Sequence, residues 1–149
     1  GNEPFRGGKF SHYEGGHRVP AIAWWPGEIA AGTKSGATLM GMDFMPTALE
    51  LAGVVIPTER KLDGVSFRNH VLKTEEFPDR KLCFGYEPKL GTAMRDGNWK
   101  MTSKGEKREL YNVSGEVGER NNLVEKHPQR AEKMAAEITA WKERTRRGS

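Results

Sequence analysis

Thr92-Ala93-Met94-Arg95-Asp96-Gly97-Asn98-Trp99-Lys100-Met101-Thr102 is the stretch that decides the fold of the C-terminal half. Apolar and polar residues alternate on both sides of Asp96-Gly97. An Asp-Gly pair between alternating runs signals a hairpin, because the favoured tight turns need residues that accept positive φ. Working outward, the same period of two predicts strands over 81–87, 91–95, 98–103 and 108–113. Lys104-Gly105-Glu106-Lys107 reads as the next turn. The four segments make an antiparallel meander. Downstream, Pro128 suits the first position of a helix running to about Arg146, where its missing N–H costs nothing. Ala131, Met134, Ala135, Ile138 and Trp141 recur at helical spacing and form one apolar stripe. That stripe is expected to pack on the meander.

Upstream the period changes. Asp43-Phe44-Met45-Pro46-Thr47-Ala48-Leu49-Glu50-Leu51-Ala52-Gly53 predicts a helix. Asp43 caps it, Pro46 lies near the first turn where proline is tolerated, and Gly53 allows a left-handed stop. Phe44, Met45, Ala48, Leu49 and Ala52 fall on one expected apolar face. Residues 54–80 read as irregular, with a turn at Asp63-Gly64 and a short helix near 66–73. Val19-Pro20-Ala21-Ile22-Ala23-Trp24-Trp25, closed by Pro26-Gly27, predicts a strand buried on both faces, as in a layered α/β domain. Residues 28–38 read as a small-residue connection, and residues 1–18 as a structured Gly-rich loop. The expected fold class is α/β, becoming α+β in the C-terminal part.

Composition narrows the functional classes. A length of 149 residues allows one domain, or a domain with an appendage. Such a chain can bury about two thirds of its unfolded surface, enough for a core. Charged residues make up 30% and are mixed in sign, which excludes the one-sided profile of a disordered chain. No run approaches the roughly 20 apolar residues of a membrane span. Gly1 to Arg6 do not form a charged region followed by an apolar stretch, so no signal peptide is read there. The single cysteine, Cys83, excludes an internal disulfide or a Cys-based metal cluster and reads as a small buried hydrophobe in a strand. The net charge of +4 admits nucleic acid in principle, but +3 of it lies in residues 128–149. A basic helix end complements the macrodipole and needs no ligand, so no nucleic-acid partner is expected.

Glycine is the compositional outlier, with 18 residues against a usual share of about 7%. Four of them lie in Phe5-Arg6-Gly7-Gly8-Lys9-Phe10-Ser11-His12-Tyr13-Glu14-Gly15-Gly16-His17-Arg18. Glycines let backbone approach a ligand closely, loop N–H groups can form an anion-binding concavity, and lysine adds a point charge. An oxyanion such as sulfate or phosphate is the natural ligand. The alternative is an ordinary surface loop with ion pairs such as Glu14 with Arg18. Asp43 reads as a helix cap rather than a catalyst.

Arg6-Gly7-Gly8-Lys9 followed by Tyr13-Glu14-Gly15-Gly16-His17-Arg18-Val19-Pro20 resembles the Arg-Gly-Gly-Lys…Glu-Gly-Gly-x-Arg-x-Pro signature of arylsulfatase-type sulfatases of the alkaline phosphatase superfamily. The resemblance continues in register through Trp25-Pro26-Gly27, the Met42 to Thr47 helix start, Leu51-Ala52-Gly53 and Leu62 to Phe67. It extends through Ala93 to Lys100, Glu109 to Val113 and Glu119 to Leu123. It implies hydrolysis of sulfate esters through a formylglycine made in a Cys/Ser-x-Pro-x-Arg motif, with calcium held by several Asp and an Asn or Gln. It places Lys9 on the sulfate and gives Arg18 a structural part; His12, near in sequence, is expected to line the same pocket without a motif match.

The departures are as definite. No Cys-x-Pro-x-Arg or Ser-x-Pro-x-Arg and no Asp-Asp pair occurs in these residues. The chain is therefore expected to be the C-terminal part of a sulfatase. Residues 1–57 would be the remnant of the large catalytic domain, 58–80 a connection, and 81–149 a small sheet-and-helix domain. No metal site or cofactor is expected within the chain. Alone it is expected to be inactive and to form a homodimer or segment-swapped oligomer. A periplasmic or secreted location follows only from the resemblance. The alternatives are a phosphoester or phosphonate hydrolase of the same superfamily, and a stand-alone anion-binding or oligomerisation module.

Overall fold

The computed structural model describes residues 2–85 and 89–147. They fall into two compact units, one joining the residues up to Pro20 with those from Arg80 onward, the other Ala21–Asp79. Contact thus groups the Gly-rich N-terminal segment with the C-terminal sheet.

In the first unit, β1 (Lys81–Phe84), β2 (Thr92–Asp96), β3 (Trp99–Lys104) and β4 (Lys107–Asn112) form one sheet in chain order. All pairs are antiparallel. The β2–β3 turn has Gly97 at φ 55°, the left-handed conformation that Asp96-Gly97 predicts. The expected continuation of β1 to 87 falls partly on residues 86–88, outside the described residues.

Register sorts the side chains onto two faces, because successive strand residues point in opposite directions. Cys83, Met94, Met101 and Leu110 align across the four strands. α4 (Pro128–Arg147) lays Ala131, Met134 and Ile138 on this row, and these six buried residues other than Cys83 form the core. Cys83 packs against it, half-buried, and burial raises its thiol pKa. The expected stripe is the packed one.

The opposite face carries Arg95, Lys100 and Tyr111 in one row and Thr102 with Glu109 in the next. Alternation alone would give this charged face to solvent. Instead Lys100 is 0% exposed, and Thr102, Glu109 and Tyr111 are buried. α1, a single helical turn at Glu14–His17 inside the expected loop, supplies one charged partner, Glu14, and Glu119 supplies another.

In the second unit, a 3-10 turn at Gly41–Asp43 leads into α2 (Phe44–Leu51), and α3 spans Arg68–Lys73. Asp43 is fully buried. Its carboxylate accepts the N–H groups of Met40 (2.6 Å) and Val65 (3.0 Å), so it caps the turn before α2 rather than α2 itself. The Thr47 hydroxyl donates to the Asp43 carbonyl (2.6 Å) and accepts the Phe67 N–H (3.0 Å).

Two expectations fail here. Residues 19–25 form no strand: Val19 is 78%, Ile22 94% and Trp24 83% exposed. A strand needs neighbours for its backbone groups, and no strand among the described residues pairs with this run. The apolar face expected of α2 does not turn to a core. Phe44 and Met45 are about 60% exposed, while Pro46 and Thr47 are buried.

Candidate functional site

The segment 5–18 is built around Gly15 and Gly16. A Cβ on Gly15 would lie 2.4 Å from the Gly7 carbonyl oxygen, and one on Gly16 would lie 2.1 Å from that of Ser11. Any larger residue would push the α1 turn off the Arg6–Ser11 backbone. The Gly15 N–H donates to the Arg6 carbonyl (2.8 Å) and the Ser11 N–H to that of Gly8 (2.9 Å), closing the loop on itself.

The closed loop displays Lys9 in an exposed turn. Its ammonium lies 5.1 Å from the Phe10 ring centre. Phe10 is 73% exposed and left-handed, at φ 70°. A bulky residue held at positive φ is an outlier of the kind that gathers at functional sites.

His12 does not join Lys9; no hydrogen bond links them among the described residues. Its Nδ1 lies 3.2 Å from Nε2 of His17, and its ring covers Gly85, where an added Cβ would come 2.1 Å from the imidazole. The His17 ring stacks on Phe84 with centres 4.2 Å apart. The remaining ring nitrogens, His12 Nε2 and His17 Nδ1, are buried and unpaired. Burial, with Lys100 and His12 adding repulsion, lowers the His17 pKa to about 4. Burial likewise lowers that of His12. Both imidazoles are neutral near pH 7.

The anchor of the loop is Glu14, which charge patterning alone assigns to a surface ion pair. Glu14 is 3% exposed. Its Oε1 accepts from Lys100 Nζ (2.8 Å) and its Oε2 from Arg95 (3.2 Å), while Arg18 stands 3.8 Å away. Lys100 is shared with Glu119 (3.4 Å), whose other oxygen accepts the Glu14 N–H (2.6 Å). Burial pushes both carboxyl pKa values up. At Glu14 the three cations more than offset this and hold the pKa below its ordinary value; at Glu119 Lys100 does not offset burial and the Glu14 charge, and the pKa stays raised.

A second set of contacts fixes the start of the loop. Arg6 donates to the Tyr111 hydroxyl and to the Glu119 carbonyl, both at 2.8 Å, and lies 3.8 Å from the Tyr13 ring centre. The Tyr13 hydroxyl donates to Glu109. Burial and the Glu109 charge push both phenols up to about 12, so they remain protonated hydroxyls. Arg18 stacks over Phe5 at 4.8 Å, in keeping with a structural part.

The arrangement presents Lys9 on an exposed turn and holds the loop beneath it with charges. Among the described residues no three or more of His, Cys, Asp and Glu converge to hold a metal ion. The described residues do not fit a calcium site.

Comparison with known proteins fits this geometry. A family model described as Sulfatase matches residues 1–54. An arylsulfatase from Hemicentrotus pulcherrimus is 38% identical over 96 residues, which are 64% of this chain and 17% of that protein. An N-acetylgalactosamine-6-sulfatase from Mus musculus is 49% identical over 72 residues, 48% of this chain and 14% of that protein. The chain thus spans less than a fifth of these relatives. Among solved structures, a Bacteroides thetaiotaomicron protein of glycosaminoglycan metabolism superposes with a TM-score of 0.80 at 22% identity, covering 93% of this chain and 32% of its own. A second, solved with a neocarrahexaose, also gives 0.80, at 24% identity over 94% and 32%. At such identities the structural likeness is one of fold. The family model, the relatives and the fold agree that this chain is similar to the C-terminal part of sulfatases.

Proposed function

We propose that this chain serves sulfuric ester hydrolysis by presenting Lys9 to the sulfate group, and that it does not hydrolyse the ester by itself. The observation that carries the reading is the exposed Lys9 beside left-handed Phe10, on a loop closed by Gly15-Gly16 and anchored through buried Glu14. A lysine offers a compact charge to a tetrahedral oxyanion and can stabilise charge that develops on it. It supplies neither a nucleophile nor an activated water. The residues hold no Cys/Ser-x-Pro-x-Arg from which a formylglycine could be made. Calcium and formylglycine chemistry would therefore have to come from residues outside these 149.

The test is titration of the chain with sodium sulfate beside an assay with a chromogenic aryl sulfate. Saturable binding that Lys9→Ala removes, without turnover, is the expected pair of results. Turnover that scales with this protein and survives repurification overturns the proposed inactivity. Binding unchanged in Lys9→Ala overturns the role of Lys9.

We further propose that the isolated chain self-associates. Ile22, Trp24, Phe44 and Met45 of the second unit are each more than half exposed, apolar surface that a second copy would cover.

A further inference from the structure

We infer that the cleft at the start of α4 is an oxyanion-binding site, taking a sulfate or phosphate group. The cleft has a volume of about 560 Å³ and is lined by Lys126, His127, Arg130 and Lys133, with Asp96 the one carboxylate in its wall. No residue of it belongs to the segment 5–18, so the inference stands apart from Lys9.

Three observations converge. The first is the sign of the charge. The first turn of a helix favours Asp and Glu, because the peptide dipoles leave positive charge there. The first turn of α4 holds no acidic residue. Lys126, Arg130 and Lys133 gather instead, with His127, around the start of a 20-residue helix, where positive charge is least favourable. The Trp99 ring accounts for the placement of Arg130 and His127, but no ion pair among the described residues accounts for Lys126 and Lys133; an anion seated among them does.

The second is that these cations are unspent. Among the described residues Lys126, Arg130 and Lys133 make no ion pair. Of the acids of α4, Glu132 pairs with Arg108 at 3.0 Å and Glu137 with Lys81.

The third is orientation. The Arg130 guanidinium lies 4.6 Å from the centre of the Trp99 ring. His127 meets the same ring edge-on at 4.9 Å. Trp99 is packed against the core, so it holds both groups beside the cleft and reduces the side-chain freedom that a ligand would otherwise have to freeze. A planar guanidinium offers two parallel N–H donors, the fork that matches an oxyanion.

The experiment is a backbone NMR titration of the whole chain with sodium sulfate and sodium phosphate, against sodium chloride at matched ionic strength. Saturating shifts at residues 96 and 126–134 with sulfate or phosphate, and not with chloride, are expected. Arg130→Ala should weaken binding at least about tenfold, the loss of a charge-assisted fork. Lys133→Gln, on the exposed side of the helix, serves as the second variant should Arg130→Ala disturb the packing on Trp99. Lys9→Ala should leave these shifts in place, which separates the cleft from the Lys9 reading. A sulfated disaccharide and its desulfated counterpart identify the source: tighter binding of the sulfated sugar than of inorganic sulfate assigns a saccharide, and equal binding assigns the free ion. Shifts that chloride reproduces, or that survive both variants unchanged, overturn the site.

Discussion

Glu14 is the residue on which the candidate site turns. Its carboxylate is buried with Lys100, and removing one partner of a buried pair leaves the other charged and desolvated. Glu14→Ala should therefore destabilise the chain by about 3 kcal/mol, the low end for such losses because Glu119 still faces Lys100. Glu14→Gln, which keeps one oxygen, should lose less. Urea unfolding measures both, and an alanine variant indistinguishable from wild type would remove Glu14 from the role of anchor. His17 adds a pH dependence. The unfolded chain takes up a proton at His17 near pH 6.5, whereas the folded chain resists until about 4. Between these values the unfolded state binds more protons, so stability is full above about pH 6.5 and falls as pH drops towards 4. His17→Phe keeps the stack on Phe84 and cannot titrate. It should flatten that stretch of the stability profile, and an unchanged slope would assign the loss to other groups.

Among the elements, α4 and α2 have similar apolar periodicity but opposite fates. Met134 of α4 is 1% exposed in the core, while Met45 of α2 is 60% exposed. Met134→Ala should cost about 2–5 kcal/mol through lost contacts and the cavity left behind. Met45→Ala should stay within about 0.5 kcal/mol, as surface substitutions do. Equal losses in thermal or chemical unfolding would mean that α2 is covered in solution. The period places a stripe on a helix, but what covers the stripe belongs to the next scale.

The whole molecule combines a sheet covered on both faces with apolar segments that nothing described covers. The proposed self-association rests on the second feature. Light scattering at micromolar concentration should give a mass above one chain, and Trp24→Ser with Ile22→Ser should lower it. A clean monomer for the unaltered chain would exclude the proposed association.

Sequence alone determined the meander, its Gly97 turn, the core stripe of α4, and Lys9 on a Gly-rich turn. These rest on short-range rules: a period of two or 3.6, a residue that accepts positive φ, and glycines where backbone comes close. It misplaced residues 19–25, because an apolar run reads as a buried strand whether or not a neighbour exists to pair with it. It also left Glu14, Arg95, Lys100 and Glu119 unrecognised, although Arg95 and Lys100 alternate regularly in their strands. A charged row in a strand looks the same facing water or facing a buried partner from far along the chain. Only the tertiary structure brings Glu14 across 86 residues to Lys100. That long-range pairing makes a Gly-rich segment the second cover of the sheet and the rigid mount for Lys9.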